Sequence, residues 1–241
     1  MAHVFRFYIS PEMVCTGEIA LPPEEAHHAI HVIHVKRNDM VVLFDGQGRE
    51  IQGTILEVGR REVTVARIAE KRIPKPRAQV AILQGRLLRE KCTEFVVQRG
   101  TELGVAHFCF FPAEHSEKAP RWNAKWPRMA IEVCKQCGRS WLPTFAVAPD
   151  LEAAVRPAQG AVLIATTHAT PTPLRQALSQ ENAAILVGPE GDFTPEELRR
   201  AQALGAVPIS LGSTTYRSEI AATLAAALVL YELGELGPRV D

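Results

Sequence analysis

Two polar loops hold the residues best suited to chemistry. The first, "GPEGD" at 188–192, follows the apolar run "AAILV" and precedes "FTPEEL". The second, "LGSTTYRSE" at 211–219, follows "AVPIS" and precedes an Ala-rich stretch. Each loop thus joins a predicted strand to a predicted helix. Because parallel α/β sheets bind ligands at the carboxyl ends of their strands, the two loops predict one binding site.

The composition of the first loop argues against a phosphate ligand. It lacks the Lys and the Ser or Thr of a P-loop and instead carries Glu190 and Asp192. It also lacks the G-x-G-x-x-G pattern of dinucleotide-binding folds. A neutral or cationic ligand therefore fits better, although Gly and Pro also mark purely structural turns. Thr194, Pro195 and Glu197 form a capping-box pattern that fixes where the next helix begins.

The second loop contains an isolated pair of charges. Arg217 and Glu219 are the only charged residues between Arg200 and Glu232, and they precede a helix that must be buried on most sides. A charge in such a place is costly unless it is paired or functional. We therefore predict a catalytic or binding role for both, while Ser218 is a plausible helix cap.

Strands and helices alternate from about residue 78 onward, which predicts an α/β domain with a mainly parallel sheet. The predicted strands are "AQVAILQG", "VAHFCFFPA", "AVLIAT", "AAILVG" and "AVPISLG", and the predicted helices are "REKCTEFVVQRGTELG", "WPRMAIEVCKQCG", "TPEELRRAQALG" and "SEIAATLAAALVLYELG". The preceding part is β-rich, with hairpin turns at "DGQG" and "GRRE". A helix is predicted in "LPPEEAHHAIHVIHV" and a linker in "KRIPKPR", 71–77. These patterns predict domains at 1–72 and 73–241.

Charge and apolar patterning narrow the function classes. Formal net charge is zero, so bulk charge does not drive nucleic-acid binding, but residues 60–91 carry ten Lys or Arg against three Glu. This basic stretch is either an RNA-steering surface or a solvated linker. No apolar run is long enough for a membrane span and no secretory leader is evident, so we expect a cytoplasmic protein.

Two groups of metal-ligating side chains raise the alternative of a metal site. His27, His31 and His34 have i, i+4, i+7 spacing, and Cys134 and Cys137 form a C-x-x-C pair. Neither group has an obvious further ligand, and an odd total of five cysteines indicates reduced thiols. We predict no metal.

Several motifs resemble the bacterial 16S ribosomal RNA uracil-N3 methyltransferases of the SPOUT superfamily. They are "LVGPEGDFTPEEL", "ISLGSTTYRSEIAATLAAAL", "REKCTEFVVQRGTELGV", "AIEVCKQCGRSWLP" and "LFDGQGRE". The resemblance implies a knotted parallel sheet with helices on both faces, preceded by a small PUA-like β-barrel. It also implies S-adenosylmethionine as cofactor, 16S ribosomal RNA in the small subunit as partner, and a homodimer.

The resemblance also assigns site residues. Arg217 is expected to stabilise the developing uracil anion, and Glu219 to orient Arg217 or relay the proton. The expected cofactor-binding residues are Leu186, Gly188, Pro189, Glu190, Gly191, Ile209, Leu211, Gly212, Tyr216 and Ala221. The expected RNA-binding residues are Arg86, Lys91, Gln98, Arg139, His31 and His34.

The chain departs from the family pattern at identifiable positions. Asp192 stands where a second Gly is usual, and Ser213, Thr214, Tyr216 and Ile220 replace Pro, Arg, Leu and Thr. Arginines usual in the family are replaced by His31, His34, His115 and Trp141. A SPOUT methyltransferase with another RNA target and a non-catalytic RNA-binding protein are the alternatives.

Overall fold

The computed structural model describes residues 4–14, 17–178 and 180–237, which form two compact units. The first unit comprises residues up to 75 together with 131–142, and the second comprises 76–130 and the chain from 143 onward. His3 and Cys15 lie outside the described residues. The division of the chain between residues 72 and 73 stays a prediction.

The first unit is built on a mixed sheet in the order β1-β3-β4-β5-β2. Its elements are β1 (Phe5–Tyr8), β2 (Glu18–Ala20), α1 (Pro23–His28), β3 (Met40–Phe44), β4 (Arg49–Val58) and β5 (Val63–Arg72). β1 pairs with β3 in parallel, whereas β3, β4 and β5 form consecutive antiparallel pairs. The hairpins predicted at "DGQG" and "GRRE" are therefore confirmed. Phe7, Leu43 and Ile55 are among the fully buried side chains of its core.

Two local predictions in the first unit are wrong. α1 ends at His28, and a π-helical turn, Ala29–Ile33, follows it and ends at the left-handed residue His34, φ 58°. The three histidines therefore do not share one regular helix face, because a π turn changes the residue spacing. The predicted linker at 71–77 is also too long, since β5 continues to Arg72 and the Lys71 Nζ lies 2.8 Å from Glu50 Oε2.

The second unit contains a six-stranded sheet in the order β11-β9-β10-β6-β7-β8, and every pairing in it is parallel. Its strands are β6 (Val80–Gly85), β7 (His107–Phe111), β8 (Thr144–Val147), β9 (Ala161–Ala165), β10 (Ala183–Val187) and β11 (Val207–Ile209). Its helices are α2 (Glu90–Leu103), α4 (Leu151–Val155), α5 (Leu174–Ala177), α6 (Pro195–Ala203) and α7 (Ser218–Glu232). α3 (Lys125–Cys137) begins in this unit and continues into 131–142. β8, α4 and α5 were not predicted.

Helices cover both faces of this sheet. On one face Ile82 and Ile185 pack in a core with residues of α2 and α7, including Val96 and Ala225. On the other face Leu83, Ala184 and Leu186 pack with residues of α4 and α6. Alternate residues of one strand thus face opposite cores, as they must in a buried parallel sheet. The predicted α/β class is confirmed. Within the described residues no helix is both long and apolar enough to cross a membrane.

Candidate active site

A pocket of about 580 Å³ lies at the carboxyl ends of four strands of the second unit. Loops after β9, β10 and β11 form most of its wall, and the starts of α2 and α7 complete it. Its size is within the roughly 300–1,000 Å³ typical of small-molecule sites. The two loops singled out in the sequence therefore meet at one site, as the topology of a parallel sheet requires.

Most of the predicted cofactor-binding residues line this pocket. Those that do are Gly188, Pro189, Glu190, Leu211, Gly212, Tyr216 and Ala221, and both predicted catalytic residues, Arg217 and Glu219, line it too. Three others lie elsewhere. Leu186 and Ile209 are buried in the two cores of the sheet, and the α-carbon of Gly191 faces His115.

A buried amide of β6 positions the first loop. Gln84 is fully buried, and its Nε2 lies 3.0 Å from the Gly188 carbonyl oxygen and 3.0 Å from Ser218 Oγ. The same nitrogen is 3.1 Å from the Gly85 carbonyl oxygen and 3.3 Å from that of Val187. The Ser218 hydroxyl donates in turn to the Gly188 carbonyl oxygen. Gln84 therefore links the loop after β10 to the first turn of α7.

The backbone of the first loop passes very close to β6. A β-carbon at Gly85 would lie 2.9 Å from Pro189 Cδ and 3.0 Å from its nitrogen, so a larger residue would displace the loop. Asp192, where the family pattern has Gly, adopts a left-handed conformation with φ 58°. Asp tolerates that conformation better than most residues, and its Oδ1 accepts a hydrogen bond from the Phe193 amide at 2.8 Å.

Groups outside the loop form hydrogen bonds with its polar atoms. The Glu190 carboxylate accepts from the Leu88 amide at 3.0 Å. His115 Nδ1 lies 2.8 Å from the Gly191 carbonyl oxygen and 2.9 Å from that of Asp192. These carbonyl oxygens favour the protonated ring, so the pKa of His115 is raised. Glu190 and Asp192 thus stabilise the loop through hydrogen bonds and also add negative charge to the pocket.

The second loop differs from its prediction. Arg217 occupies the N-cap position of α7 and is exposed, and Ser218 is the first helical residue, so Ser218 is not the cap. Within the described residues, neither Arg217 nor Glu219 forms an ion pair within 4 Å. The Glu219 carboxylate instead interacts electrostatically with the thiol of Cys92. Burial, followed by this carboxylate, raises the pKa of Cys92. The expected Arg217–Glu219 pair is therefore not formed.

Acidic groups predominate among the charged side chains of the pocket. Among the described residues that line it, Glu190, Asp192 and Glu219 are acidic, whereas Arg89 and Arg217 are basic. This balance disfavours a phosphate-bearing ligand and favours a cationic one.

The predicted RNA-binding residues lie in both units. In the second unit Lys91 is exposed, Gln98 is half-buried, and Arg86 Nη2 lies 3.8 Å from Glu90 Oε2. In the first unit His31 and His34 are exposed. Arg139 is different, because burial lowers the pKa of its guanidinium. All of these residues are thus exposed or half-buried, and Arg139 is the half-buried one whose pKa burial lowers.

The two possible metal-ligating groups have the following geometry. The His27 and His31 rings lie 4.6 Å apart. Cys134 is buried and Cys137 is exposed, and a hydrogen bond to Cys137, together with burial, raises the pKa of Cys134. Within the described ranges, no three His, Cys, Asp or Glu side chains are grouped so that they could hold a metal ion.

Sequence reasoning missed several residues of this pocket. Gln84 had one signal, a lone amide inside the apolar strand "AILQG". Cys92 and the pair Thr166 and Thr167, which follow β9, also line the pocket. They had no signal of their own beyond their positions in loops and at the start of a helix.

Fold and site together define a class: an α/β domain with a parallel sheet and a pocket at the carboxyl edge of that sheet. Comparison with known proteins supports this class. An RNA methyltransferase domain matches residues 74–230, and an RNA methyltransferase PUA domain matches residues 21–66. Since the first match covers well over half of the chain, the chain belongs to the RNA methyltransferase family. The expected parallel α/β sheet with helices on both faces and the expected PUA-like N-terminal domain are confirmed.

Similar proteins extend over nearly the whole chain. A protein of Mycobacterium bovis named ribosomal RNA small subunit methyltransferase E is 28% identical, over 94% of this chain and 90% of the relative. A protein of the same name from Neisseria gonorrhoeae, crystallised with S-adenosyl methionine, is 25% identical with a TM-score of 0.80, over 95% and 98% of the two chains. A methyltransferase structure from Legionella pneumophila, at 24% identity and a TM-score of 0.83, shows the same fold over 95% and 98%.

Proposed function

We propose that this protein transfers a methyl group from S-adenosylmethionine to N3 of a uridine in 16S ribosomal RNA of the small subunit. The observation that carries the proposal is the pocket at the carboxyl edge of the sheet, in which three carboxylates outnumber two guanidiniums. The names of the relatives support a small-subunit RNA target. The resemblance of "LVGPEGDFTPEEL" and "LGSTTYRSE" to uracil-N3 methyltransferase signatures supports the position on the base.

The pocket fits a sulfonium cofactor. Backbone groups of Gly188, Leu211 and Gly212 line it and would hold adenine and ribose, while its net acidic lining suits a positive charge. When bound, S-adenosylmethionine supplies an electrophilic methyl group that bonds to N3 as the S–C electron pair returns to sulfur. The protein contributes mainly position, because in-line displacement needs aligned reactants rather than covalent help.

Two residues of this chain are assigned to the uracil. N3 must lose its proton before or during attack, which leaves negative charge on the ring. The Arg217 guanidinium, exposed at the start of α7, stabilises that charge. Glu219 accepts the proton, directly or through water, since its carboxylate lines the pocket and forms no ion pair among the described residues. Of the two roles expected for Glu219, this assignment keeps the relay of the proton and drops the orientation of Arg217.

Methylation of small subunits from a strain that lacks the gene tests the proposal. Nucleosides from the treated 16S ribosomal RNA are separated and weighed by mass spectrometry, and N3-methyluridine is the expected product. Methylation of another base or of another RNA would refute the assignment. Naked 16S RNA and assembled subunits, compared in parallel, identify the true substrate.

Variants at the pocket test the roles of the two residues. Arg217→Ala should lower the methylation rate about 10²–10³-fold, in the range found for lost anion stabilisers. Glu219→Gln should lower the rate, because an amide cannot accept the proton from N3. Arg156→Gln, at an exposed arginine that does not line the pocket, is the matched control and should retain the wild-type rate. Full activity of Arg217→Ala would exclude its role.

We also propose that the protein is a homodimer that acts in the cytoplasm. Exposed apolar side chains on α7 support association, since Tyr231 is 61% exposed and Leu228 is 36% exposed. Analytical ultracentrifugation at micromolar concentration should give twice the chain mass. A concentration-independent monomer would refute the dimer.

A further inference from the structure

A second cavity shares a wall with the candidate active site. Its volume is about 670 Å³, and Arg86, Glu90 and Thr93 line it. Leu88 and Cys92, from the same stretch of chain, line the candidate active site. The start of α2 therefore separates two cavities within the second unit. None of the proposed chemistry uses this second cavity.

Aromatic rings form part of the wall of this cavity. Trp122 is 55% exposed, whereas Trp126 is only 2% exposed, and their rings meet edge to face at 6.0 Å. The Glu90 carboxylate accepts from Trp126 Nε1 at 3.3 Å and from Asn123 Nδ2 at 2.9 Å, which fixes both side chains. An exposed indole beside a fixed wall is a stacking platform for a flat apolar ring.

The charges around the cavity favour an anionic ligand. Arg86, Lys118 and Arg121 line it, and Glu90 is the acid that lines it with them. Lys118 and Arg121 are exposed, and neither has an acidic partner within 4 Å in the part of the chain that the structure describes. Stacking surfaces combined with unpaired cations are typical of single-stranded nucleic-acid sites.

A buried hydroxyl at this cavity has no hydrogen-bond partner among the described residues. Thr93 is 2% exposed, and its Oγ1 makes no hydrogen bond within the described residues. The hydroxyl of a helical Thr commonly donates a hydrogen bond to the carbonyl oxygen four residues earlier. The Thr93 hydroxyl does not form this bond. A buried unpaired hydroxyl is costly, and it both donates and accepts, as the edge of a nucleobase requires.

We propose that this cavity binds one unpaired nucleotide of the RNA substrate. The base stacks on Trp122, the Thr93 hydroxyl bonds to its edge, and Lys118 and Arg121 contact the flanking phosphates. The proposal rests on the proposed action on RNA and adds to it a second nucleotide site beside the methyl-transfer pocket. An RNA strand bound in this cavity would lie on the other side of the start of α2 from the reacting uridine. The site would therefore help to position the target uridine.

Binding of a labelled octauridylate, measured by fluorescence anisotropy without methyl donor, tests the site. Trp122→Ala should weaken binding roughly 5- to 150-fold, the range for loss of one stacked base. Trp122→Phe keeps a stacking ring and should stay within about threefold of wild type. Lys118→Gln and Arg121→Gln should each reduce the slope of log affinity against log salt by about 0.7. Arg156→Gln, which lines neither cavity, should leave affinity and slope unchanged.

Two further measurements separate this site from the proposed methyl transfer. Calorimetry should give Trp122→Ala the wild-type affinity for S-adenosylmethionine, which shows that its fold and pocket are intact. Ultraviolet cross-linking of an octamer that contains 4-thiouridine should modify residues within 118–126. Wild-type failure to bind the octamer, unchanged binding by Trp122→Ala, or cross-links only outside that segment would overturn the proposal. Failure to bind S-adenosylmethionine alone would refute the proposed cofactor and leave the RNA measurements decisive.

Discussion

Replacing Gln84 by Glu exchanges one donor for one acceptor at the centre of the site. The Gln84 Nε2 lies between 3.0 and 3.3 Å from the carbonyl oxygens of Gly85, Val187 and Gly188 and from Ser218 Oγ. In Gln84→Glu an oxygen takes the place of this nitrogen. A carboxylate there would face carbonyl oxygens in a fully buried position, so the group keeps its proton and donates through O–H.

The cost of keeping that proton sets the size of the effect. A free Glu ionises with a pKa of about 4.3, whereas a buried Glu with pKa of about 8–9 is documented. At pH 7 the folded protein must hold a proton that the unfolded chain has released, at about 1.36 kcal/mol for each pH unit above 4.3. The loss is therefore about 3.7 kcal/mol at pH 7 and about 1 kcal/mol at pH 5. Because the folded-state pKa is raised, stability falls as pH rises through this window.

Thermal unfolding at several pH values is the assay. For a chain of this length each kcal/mol shifts the Tm by roughly 2–4 °C, so Gln84→Glu should lower it by roughly 7–15 °C at pH 7. At pH 5 the deficit should shrink to roughly 2–4 °C. A deficit that does not change between pH 5 and pH 7 would refute the argument.

Gln84→Met is the matched control for shape. It loses the hydrogen bonds but also removes the Gln84 Oε1, a buried atom without a partner among the described residues. These two effects oppose each other, so stability should change by less than about 2 kcal/mol at any pH. Affinity for S-adenosylmethionine should still fall about 5- to 10-fold, because the loop after β10 loses its link to α7.

Three further predictions concern the loop 188–192 and the helix after it. Asp192→Gly should change the free energy of unfolding by less than about 1 kcal/mol, because Gly adopts the left-handed backbone without strain and this offsets the lost hydrogen bond from the Phe193 amide. Asp192→Val should lower the Tm measurably, because a β-branched residue is strained there. Equal Tm values for the two variants would contradict this. The Thr194 hydroxyl accepts a hydrogen bond from the Glu197 amide at 3.2 Å and so caps α6. Thr194→Ala removes this acceptor and should lower the free energy of unfolding by about 1 kcal/mol, measured by denaturant unfolding. Glu196→Ala, at an exposed position of the same helix, is the control. Because the pKa of His115 is raised, the stabilisation from its contacts with the Gly191 and Asp192 carbonyl oxygens should be complete below about pH 6.5 and should weaken as pH rises through the folded-state pKa. Calorimetry with S-adenosylmethionine should therefore show affinity falling over that rise in wild type but not in His115→Ala, and parallel pH profiles would disprove the link.

Local patterns were sufficient for much of the fold and for the position of the site. Alternating apolar runs and helix signals placed β6, α2, β7, β9, β10, α6, β11 and α7, because their periodicity and end signals are local properties of the chain. β8 was missed because it is a short edge strand with only partly buried side chains. The predicted α1 was too long, because no local sequence signal indicated the π turn or the left-handed residue His34 at its end.

The sequence by itself thus determined which loops follow parallel strands, and hence that "GPEGD" and "LGSTTYRSE" meet at one pocket. Only the tertiary structure decided how those loops are held. Gln84, Gly188 and Ser218 are far apart in the chain. They meet because β6 and β10, which are distant in sequence, are neighbouring strands of the sheet. The same holds for Arg217, which is exposed and has no ion-pair partner among the described residues, and for the interaction of Glu219 in α7 with Cys92 in α2. Hydrogen bonds between distant residues leave no periodic trace in a sequence, because packing in three dimensions selects each partner.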